Sequence, residues 1–91
     1  MRNQDLIINF VRDPKFVGHT GSMNVADGCL FSYNTIIAQH TKDGRLIINN
    51  TRYSVTTSKQ QGYLRRAAAE YHDRVECVED IDFNTQWLEK E

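Results

Sequence analysis

The chain has little that supports metal binding or a disulfide. It contains two cysteines, Cys29 and Cys77, which lie far apart and form no local pair with a histidine. Zinc sites need clustered cysteine or histidine ligands, and a lone disulfide needs an oxidising compartment. We therefore expect two reduced cysteines that pack as small hydrophobic side chains, and neither a metal nor a cofactor.

Long apolar runs are also missing. No stretch approaches the ~20 residues that a transmembrane helix needs. Residues 1–5 carry an acid, which does not fit a secretory signal. We therefore expect a protein of the cytosol with no membrane partner.

Catalytic patterns are absent as well. No Walker-type glycine spacing precedes a predicted helix, so nucleotide hydrolysis is not supported. No serine–histidine–acid or cysteine–histidine arrangement can be named from spacing alone, because such partners meet only in the fold, and no pair of carboxylates stands out. The sequence predicts that the protein is not an enzyme.

Size and composition are those of one small globular domain. The 91 residues, 40% hydrophobic and 25% charged, support a single domain over residues 1–91. Charge is uneven, because residues 76–91 hold six acids and one base, whereas the preceding 75 residues hold ten bases and six acids. We expect an acidic C-terminal tail, residues 79–91, on a mildly basic body.

Apolar patterning predicts an α+β fold. Residues 6–11 and 30–40 are typical of strands, the latter forming a hairpin with residues 46–50 around Asp43-Gly44. Residues 18–28 resemble a loop, and residues 75–78 a short edge strand. We expect a small antiparallel sheet of three to four strands with one main helix packed on one face. A short C-terminal helical turn capped by Asn84 would complete it.

The hairpin has a predicted register. If Lys42-Asp43-Gly44 is a three-residue loop with a left-handed Gly44, His40 lies opposite Leu46. One face then holds Ile36, Ala38, Leu46 and Ile48, and the second face holds Ile37, Gln39, Ile47 and Asn49. Because Ile37 and Ile47 make the second face partly apolar, they are candidate partner-binding residues.

The main helix is predicted to begin in the polar cluster at residues 56–60. Thr57 followed by Gln60 fits a capping box. Apolar residues then recur at helical spacing and predict a buried stripe. Its members are Leu64, Ala68, Tyr71 and Val75.

The start of this helix is a candidate phosphate site. Free amides and a partial positive charge at a helix N-terminus attract anions, and hydroxyl groups with a lysine suit a phosphate. The candidate residues are Thr56, Thr57, Ser58 and Lys59, with Arg52, Arg65 and Arg66 adding charge. A nucleic acid would also use Arg45, with Tyr33, Tyr53 and Tyr63 as stacking surfaces. A capped helix with a solvated face is the alternative, and it stays open.

The tail is a second candidate surface. Phe83 and Trp87 lie among acids that include Asp80 and Asp82. Tryptophan is enriched at the centres of protein interfaces, so Trp87 is a candidate anchor for a partner. The alternative is that the apolar tail residues cover one end of the sheet.

Two stretches carry a resemblance to a known group. The sequences Ser-Tyr-Asn-Thr at residues 32–35 and Tyr-Ser-Val-Thr-Thr-Ser-Lys at residues 53–59 resemble small uncharacterised bacteriophage and mobile-element proteins. These share a Ser-Tyr-x-Thr strand and a Tyr-Ser-x-Thr-Thr-Ser-Lys helix start, often followed by histidine, where this chain has Gln60. The resemblance implies a phage setting, in which small non-enzymatic proteins bind and redirect host factors, including defence systems.

Two hypotheses for function follow. The leading one is a phage-encoded protein that inhibits a host protein by steric occlusion, as an anti-CRISPR protein does to a defence complex. The alternative is a nucleic-acid or nucleotide phosphate-binding module that uses the helix start. Homodimer formation stays open under either hypothesis.

Overall fold

The computed structural model describes residues 1–82, 85, 87 and 88. In this part of the chain two helices and six strands follow one another. They are α1 (Asn3–Arg12), β1 (Gly18–His19), β2 (Met23–Ala26), β3 (Cys29–Ser32), β4 (Thr35–His40), β5 (Leu46–Asn49), α2 (Val55–Tyr71) and β6 (Val75–Val78). Neither helix is long and apolar enough to cross a bilayer within the described residues.

The strands form one mixed sheet in sequence order, β1 to β6. Strands β1 to β5 are antiparallel neighbours, whereas β6 pairs with β5 in parallel. A parallel neighbour needs a crossover connection, which α2 provides. The prediction of a three- to four-stranded antiparallel sheet with one main helix is therefore wrong. The described chain has six strands, one of them parallel, and two helices.

The first error concerns residues 6–11, which form most of α1 instead of a strand. Leu6, Ile7, Phe10 and Val11 are buried and Asn9 is exposed. This spacing places the buried residues on one side of a helix, whereas a strand would alternate them. A short apolar run fits either structure, and only the polar Asn9 between Ile8 and Phe10 indicated the helical period.

The second error concerns residues 18–40. The predicted loop at residues 18–28 contains β1 and β2. A tight turn at Asp27 and Gly28, with positive φ angles of 54° and 76°, joins β2 to β3. Positive φ at both central residues is the geometry of a hairpin turn. A further turn at Tyr33, with φ of 54°, divides the predicted strand at residues 30–40 into β3 and β4.

The predicted hairpin register is confirmed between His40 and Leu46 and between Ala38 and Ile48. Gly44 has the expected positive φ, 88°. A β-bulge changes the faces further along, because Leu30 pairs with Ala38 while Phe31 pairs with Ile36. Ile37 is thus the extra residue of β4 and packs in the main core, whereas Ile36 lies on the second face. The predicted faces of Ile36 and Ile37 are therefore wrong.

Each face of the sheet buries its own hydrophobic cluster. The main core lies between the sheet and the two helices. On the second face, Leu88 packs with Cys29, Ile36 and Ile47, and Ile81 contacts the same cluster. The Leu88 amide also donates to Gln39 Oε1 at 2.6 Å. The C-terminal segment therefore covers part of the second face.

The predicted C-terminal helical turn is not present at the described residues Thr85, Trp87 and Leu88, none of which is helical. Its proposed cap, Asn84, lies outside the described residues. Leu88 packs against the sheet, so the segment follows the sheet surface at that point.

The N-cap of helix α2 lies three residues earlier than predicted. Ser54 is the N-cap, and its Oγ accepts from the Thr57 amide at 3.1 Å. Thr57 is thus a residue of the first turn rather than the capping residue. Leu64 and Ala68 are buried as predicted, whereas Tyr71 is 41% exposed and Val75 belongs to β6.

His40 fastens β4 to the C-terminal end of α1. Its Nε2–H donates to the Phe10 carbonyl oxygen at 2.6 Å, and its ring lies 4.7 Å from the Phe10 ring. Burial, the largest influence, lowers the pKa of His40, and nearby His72 lowers it further, while Asp13 and the bond to Phe10 oppose the shift.

We predict that this histidine destabilises the fold in mild acid. As the pH falls through 6.5, the ordinary pKa of histidine, the unfolded chain takes up a proton at residue 40 before the folded chain does. The free energy of unfolding therefore has its full value above this pH and decreases as the pH drops from 6.5 towards the lower pKa of the folded protein. The variant His40→Gln keeps a donor for Phe10 but does not titrate. Its melting temperature should change less than that of the wild type between about pH 8 and about pH 5. Equal changes would contradict the assignment.

Candidate functional site

Three separate stretches of the chain meet at a buried polar cluster. Ser32 Oγ donates to Gln60 Oε1 and lies 3.3 Å from Thr57 Oγ1. Gln60 Nε2 in turn donates to Ser22 Oγ at 3.1 Å. Thr57 and Gln60 are both buried, and both bond to Ser32 of β3. These bonds hold α2 on the sheet. Thr57 is thereby unavailable to a ligand.

The same cluster extends to the start of α1. Asn3 Nδ2 donates to Ser22 Oγ at 3.3 Å, and Thr20 Oγ1 donates to Asn3 Oδ1 at 2.6 Å. Asn3 is the first residue of α1, and Thr57 lies in the first turn of α2. The starts of both helices therefore lie at one end of the molecule.

A second set of hydrogen bonds fixes the connection between β5 and α2. Gln61 Nε2 donates to the carbonyl oxygens of Asn49 at 2.6 Å and Thr51 at 3.0 Å. The Tyr53 hydroxyl accepts from Asn49 Nδ2 and donates to the Ile81 carbonyl oxygen, both at 2.8 Å. The Tyr53 hydroxyl group therefore has a structural role, and the stacking surface expected of the Tyr53 ring stays a prediction.

Two open cavities flank the first turn of α2. One, of about 620 Å³, has Arg52 and Arg65 in its wall. The other, of about 510 Å³, has Arg2 and Lys59 in its wall and is shared with the start of α1. We refer to six of the exposed polar residues of these two cavities as the helix-start surface. Its members are Arg2, Arg52, Thr56, Ser58, Lys59 and Arg65.

Unpaired backbone donors lie on the same surface. Ser54 satisfies the amides of Thr57 and Ser58, the first through its side chain and the second through its carbonyl oxygen. The amides of Val55 and Thr56 have no intrahelical partner, as at any helix start. The first turn of α2 contains no acid to oppose its dipole. The local charge therefore favours an anion.

Charge is strongly segregated in the molecule. Residues 1–12 and 52–71, here called the helix layer, hold six bases and two acids, while the rest of the chain holds five bases and ten acids. Among the described residues the ion pairs join Arg45 and Arg74 to Asp43 or Glu76. All six bases of the helix layer are exposed and none belongs to these pairs. The helix layer is the positive side of the protein.

Some of these bases are oriented by neighbouring side chains. Arg65 donates to Asn50 Oδ1 at 3.1 Å. The Arg66 guanidinium lies 5.6 Å from the ring centre of Tyr63, and Arg66 lines a small groove between the helices, apart from the helix-start surface. Tyr33 is 61% exposed beside Ser32, at the same end of the molecule as the helix starts.

The predicted partner-binding residues do not form one surface. Ile37 is fully buried in the main core, and Ile47, 3% exposed, is covered on the second face. Asp80 and Asp82 are exposed, Trp87 is 60% exposed, and Phe83 lies outside the described residues. Among the hydrophobic residues of this set that the structure describes, Trp87 is exposed and accessible to a partner.

The two cysteines differ in environment. Burial, together with the nearby Asp27, raises the pKa of the Cys29 thiol to about 11, whereas Cys77 is exposed on β6. No group of three potential metal-ligating side chains comes together within residues 1–82, 85, 87 and 88.

We predict that an alkylating reagent at neutral pH modifies Cys77 in the folded protein and leaves Cys29 unmodified. A thiol with a raised pKa and no access to solvent is a poor nucleophile. Intact mass should show one added group under native conditions and two in denaturant. Two groups under native conditions would contradict the buried placement of Cys29.

The chain matches a known protein family. A family of unknown function, DUF8033, matches residues 4–82. The chain belongs to this family. No curated protein and no solved structure matches the chain.

The DUF8033 match includes the residues that α2 contributes to the helix-start surface and every residue of the two polar clusters except Asn3. Arg2 and Trp87 lie outside the matched residues. The sequence does not indicate Arg2, because residues 6–11 fit a strand pattern and predict no second helix start beside α2. The remaining cations of this surface could be found from their positions near the predicted helix start.

Proposed function

We propose that this member of DUF8033 is a non-enzymatic binding module that holds the phosphate groups of a nucleic acid on its helix-start surface. One observation carries the proposal. The helix layer holds six exposed bases against two acids, and none of the six belongs to the ion pairs of the described residues. Surface cations that are not neutralised in such ion pairs attract polyanions, which release counterions on binding.

The chemistry of the surface suits phosphate oxygens. Arg52 and Arg65 offer guanidinium groups on one side of α2, and Lys59 offers an ammonium group on the other. Guanidinium groups match phosphate geometry with paired N–H donors. The amides of Val55 and Thr56 and the exposed hydroxyl groups of Thr56 and Ser58 add donors between them.

The arrangement favours an extended polyanion over a single nucleotide. The cations are distributed over two open cavities on both sides of α2 instead of converging in one enclosed pocket. Such a spread supports successive phosphates of a strand. The exposed Tyr33 ring at the same end of the molecule offers a stacking surface for an unpaired base.

A direct test is the salt dependence of binding to a fluorescently labelled single-stranded oligonucleotide, followed by anisotropy. The logarithm of the association constant should fall linearly with the logarithm of salt concentration, with a slope of about −0.7 for each phosphate contacted. An uncharged backbone analogue of the same base sequence is the matched control and should not bind. Absence of binding at low salt, or binding that salt does not weaken, would contradict the proposal.

A second candidate function is inhibition of a host protein by steric occlusion, as in an anti-CRISPR protein. The observation that favours it is Trp87, a large apolar ring left 60% exposed, which follows the acids Asp80 and Asp82 in sequence. Exposed tryptophan side chains frequently anchor protein interfaces.

If Trp87 is such an anchor, Trp87→Ala should weaken binding to the host protein by about 30-fold or more, because anchors contribute about 2 kcal/mol or more. The measurement is capture of the host protein from nuclease-treated lysate, with Tyr33→Ala as a control aromatic truncation. Capture that Trp87→Ala leaves unchanged would count against this function.

A further inference from the structure

Strand β6 forms an open edge of the sheet. It pairs with β5 on one side and is the last strand of the described sheet. Val75, Glu76 and Cys77 are exposed along it. The opposite edge strand, β1, has only two residues and offers a shorter template. An exposed edge strand can pair with another chain through its backbone.

The hydrogen-bond pattern shows which groups of β6 face outward. The carbonyl oxygens of Arg74 and Val78 accept from the β5 side, from the amides of Leu46 at 2.8 Å and Asn50 at 2.7 Å. Because backbone groups alternate between the two sides of a strand, the N–H and C=O groups of Val75 and Cys77 point to the open edge. Two donors and two acceptors are thus available to an added strand.

The side chains at this edge define what can be added. Val75 and Cys77 are in register with Leu46 and Ile48, whose side chains are in the main core, so they extend the apolar helix side of the sheet beyond α2. Val75 is 38% exposed there. An added strand that presents apolar residues at alternate positions would cover this strip.

Charge selects among the candidate occupants. Residues 73–80 hold four acids against one base, Arg74, which donates to the Asp43 carbonyl oxygen at 2.7 Å. Glu76 is paired with Arg45 at 2.7 Å, so the excess of negative charge comes from Asp73, Glu79 and Asp80. A second copy of β6 would bring these acids together, and like charges across a strand pair are destabilising. A segment with basic residues would instead complement them.

We propose that the β6 edge binds an extended basic segment of a partner protein, which adds as a strand through the outward backbone groups of Val75 and Cys77. This surface is separate from the helix-start surface, and the inference does not depend on nucleic-acid binding. The partner's basic residues face the acids that flank β6, and its alternate apolar residues lie over Val75 and Cys77.

The test uses synthetic peptides and an edge variant. Cys77→Pro removes an N–H that faces the open edge and spares the pairing with β5, a position where edge strands tolerate proline. Cys77→Val keeps the donor and is the matched control, and circular dichroism checks the fold of both. The probes are a labelled peptide that alternates lysine and valine and its counterpart that alternates glutamate and valine.

The wild type and Cys77→Val should bind the lysine peptide at least about tenfold more tightly than the glutamate peptide, and Cys77→Pro should weaken that binding about tenfold. Hydrogen exchange at the Val75 and Cys77 amides should slow when the peptide is bound. Equal affinity for both peptides, full binding by Cys77→Pro, or unchanged exchange would overturn the proposal. A dimer that Cys77→Pro abolishes would also overturn it, by showing that a second copy occupies the edge.

Discussion

Reversing two charges, Arg52→Glu with Arg65→Glu, should lower the affinity for a single-stranded oligonucleotide about a hundredfold, since hydrogen bonds to charged groups contribute about 1.5 kcal/mol or more each. Both guanidinium groups line the same cavity beside α2, so the variant replaces attraction with repulsion at one place. The slope of affinity against salt should become shallower by about one to two, because two phosphate contacts are lost. Anisotropy titration over a salt series measures both quantities.

A matched control separates this surface from net charge. Lys15→Glu with Lys42→Glu changes the total charge equally, but these exposed lysines lie near His40, at the other end of the helix layer. The control should lower affinity by less than about threefold at physiological salt, where the screening length is about 8 Å. Equal losses in the two variants would show that binding follows net charge and would remove the assignment to the helix-start surface.

Truncating Ile7 to alanine should lower the free energy of unfolding by about 2–5 kcal/mol, the usual range for a fully buried large-to-small change. Ile7 is a residue of α1, is 1% exposed and packs in the main core. For a domain of this size the loss is a large part of a total of about 5–15 kcal/mol. Urea unfolding followed by circular dichroism gives the value.

The control for this prediction is Asn9→Ala. Asn9 is exposed on α1, and its side chain donates to the Asp5 carbonyl oxygen at 3.0 Å. Exposed substitutions of this kind usually change stability by less than about 0.5 kcal/mol. A small effect of Ile7→Ala would indicate that residue 7 points to solvent, as in a strand that buries Leu6, Ile8 and Phe10, and would contradict the helical assignment.

Sequence predicts strand register and helix faces best where nearby residues determine them. The turn at Gly44 determines the pairing of His40 with Leu46, and the run around Leu64 and Ala68 determines the face of α2. The pairing partner of β6 could not be predicted in the same way. A strand that follows a helix has no local signal for parallel or antiparallel pairing, and its direction is set by the crossover.

Two other errors have equally physical causes. Five apolar residues interrupted once, by Asn9, satisfy both helix and strand patterns over so short a run, and the packing of α1 against α2 selects the helix. The bulge at Ile37 depends on how β3 and β4 align, which no property of Ile36 or Ile37 reveals. One extra residue was enough to move Ile37 from the second face to the main core.

The candidate site was predictable to the extent that its residues are close in sequence. Arg52, Lys59 and Arg65 lie near one helix start, and their grouping follows from the helical period. Arg2 joins them because Ser22 bonds to both Asn3 and Gln60. Such a contact between distant residues is a property of the tertiary structure and has no signature in the sequence.

The measurement that tests the central claim most directly is a nuclear magnetic resonance titration of the labelled protein with a short single-stranded oligonucleotide. We predict that the amide signals of Val55 and Thr56 and the side-chain signals of Arg52 and Arg65 shift most, and that salt reverses the shifts. Shifts confined to Trp87 or β6, with the first turn of α2 unchanged, would contradict the claim that the helix-start surface binds phosphate.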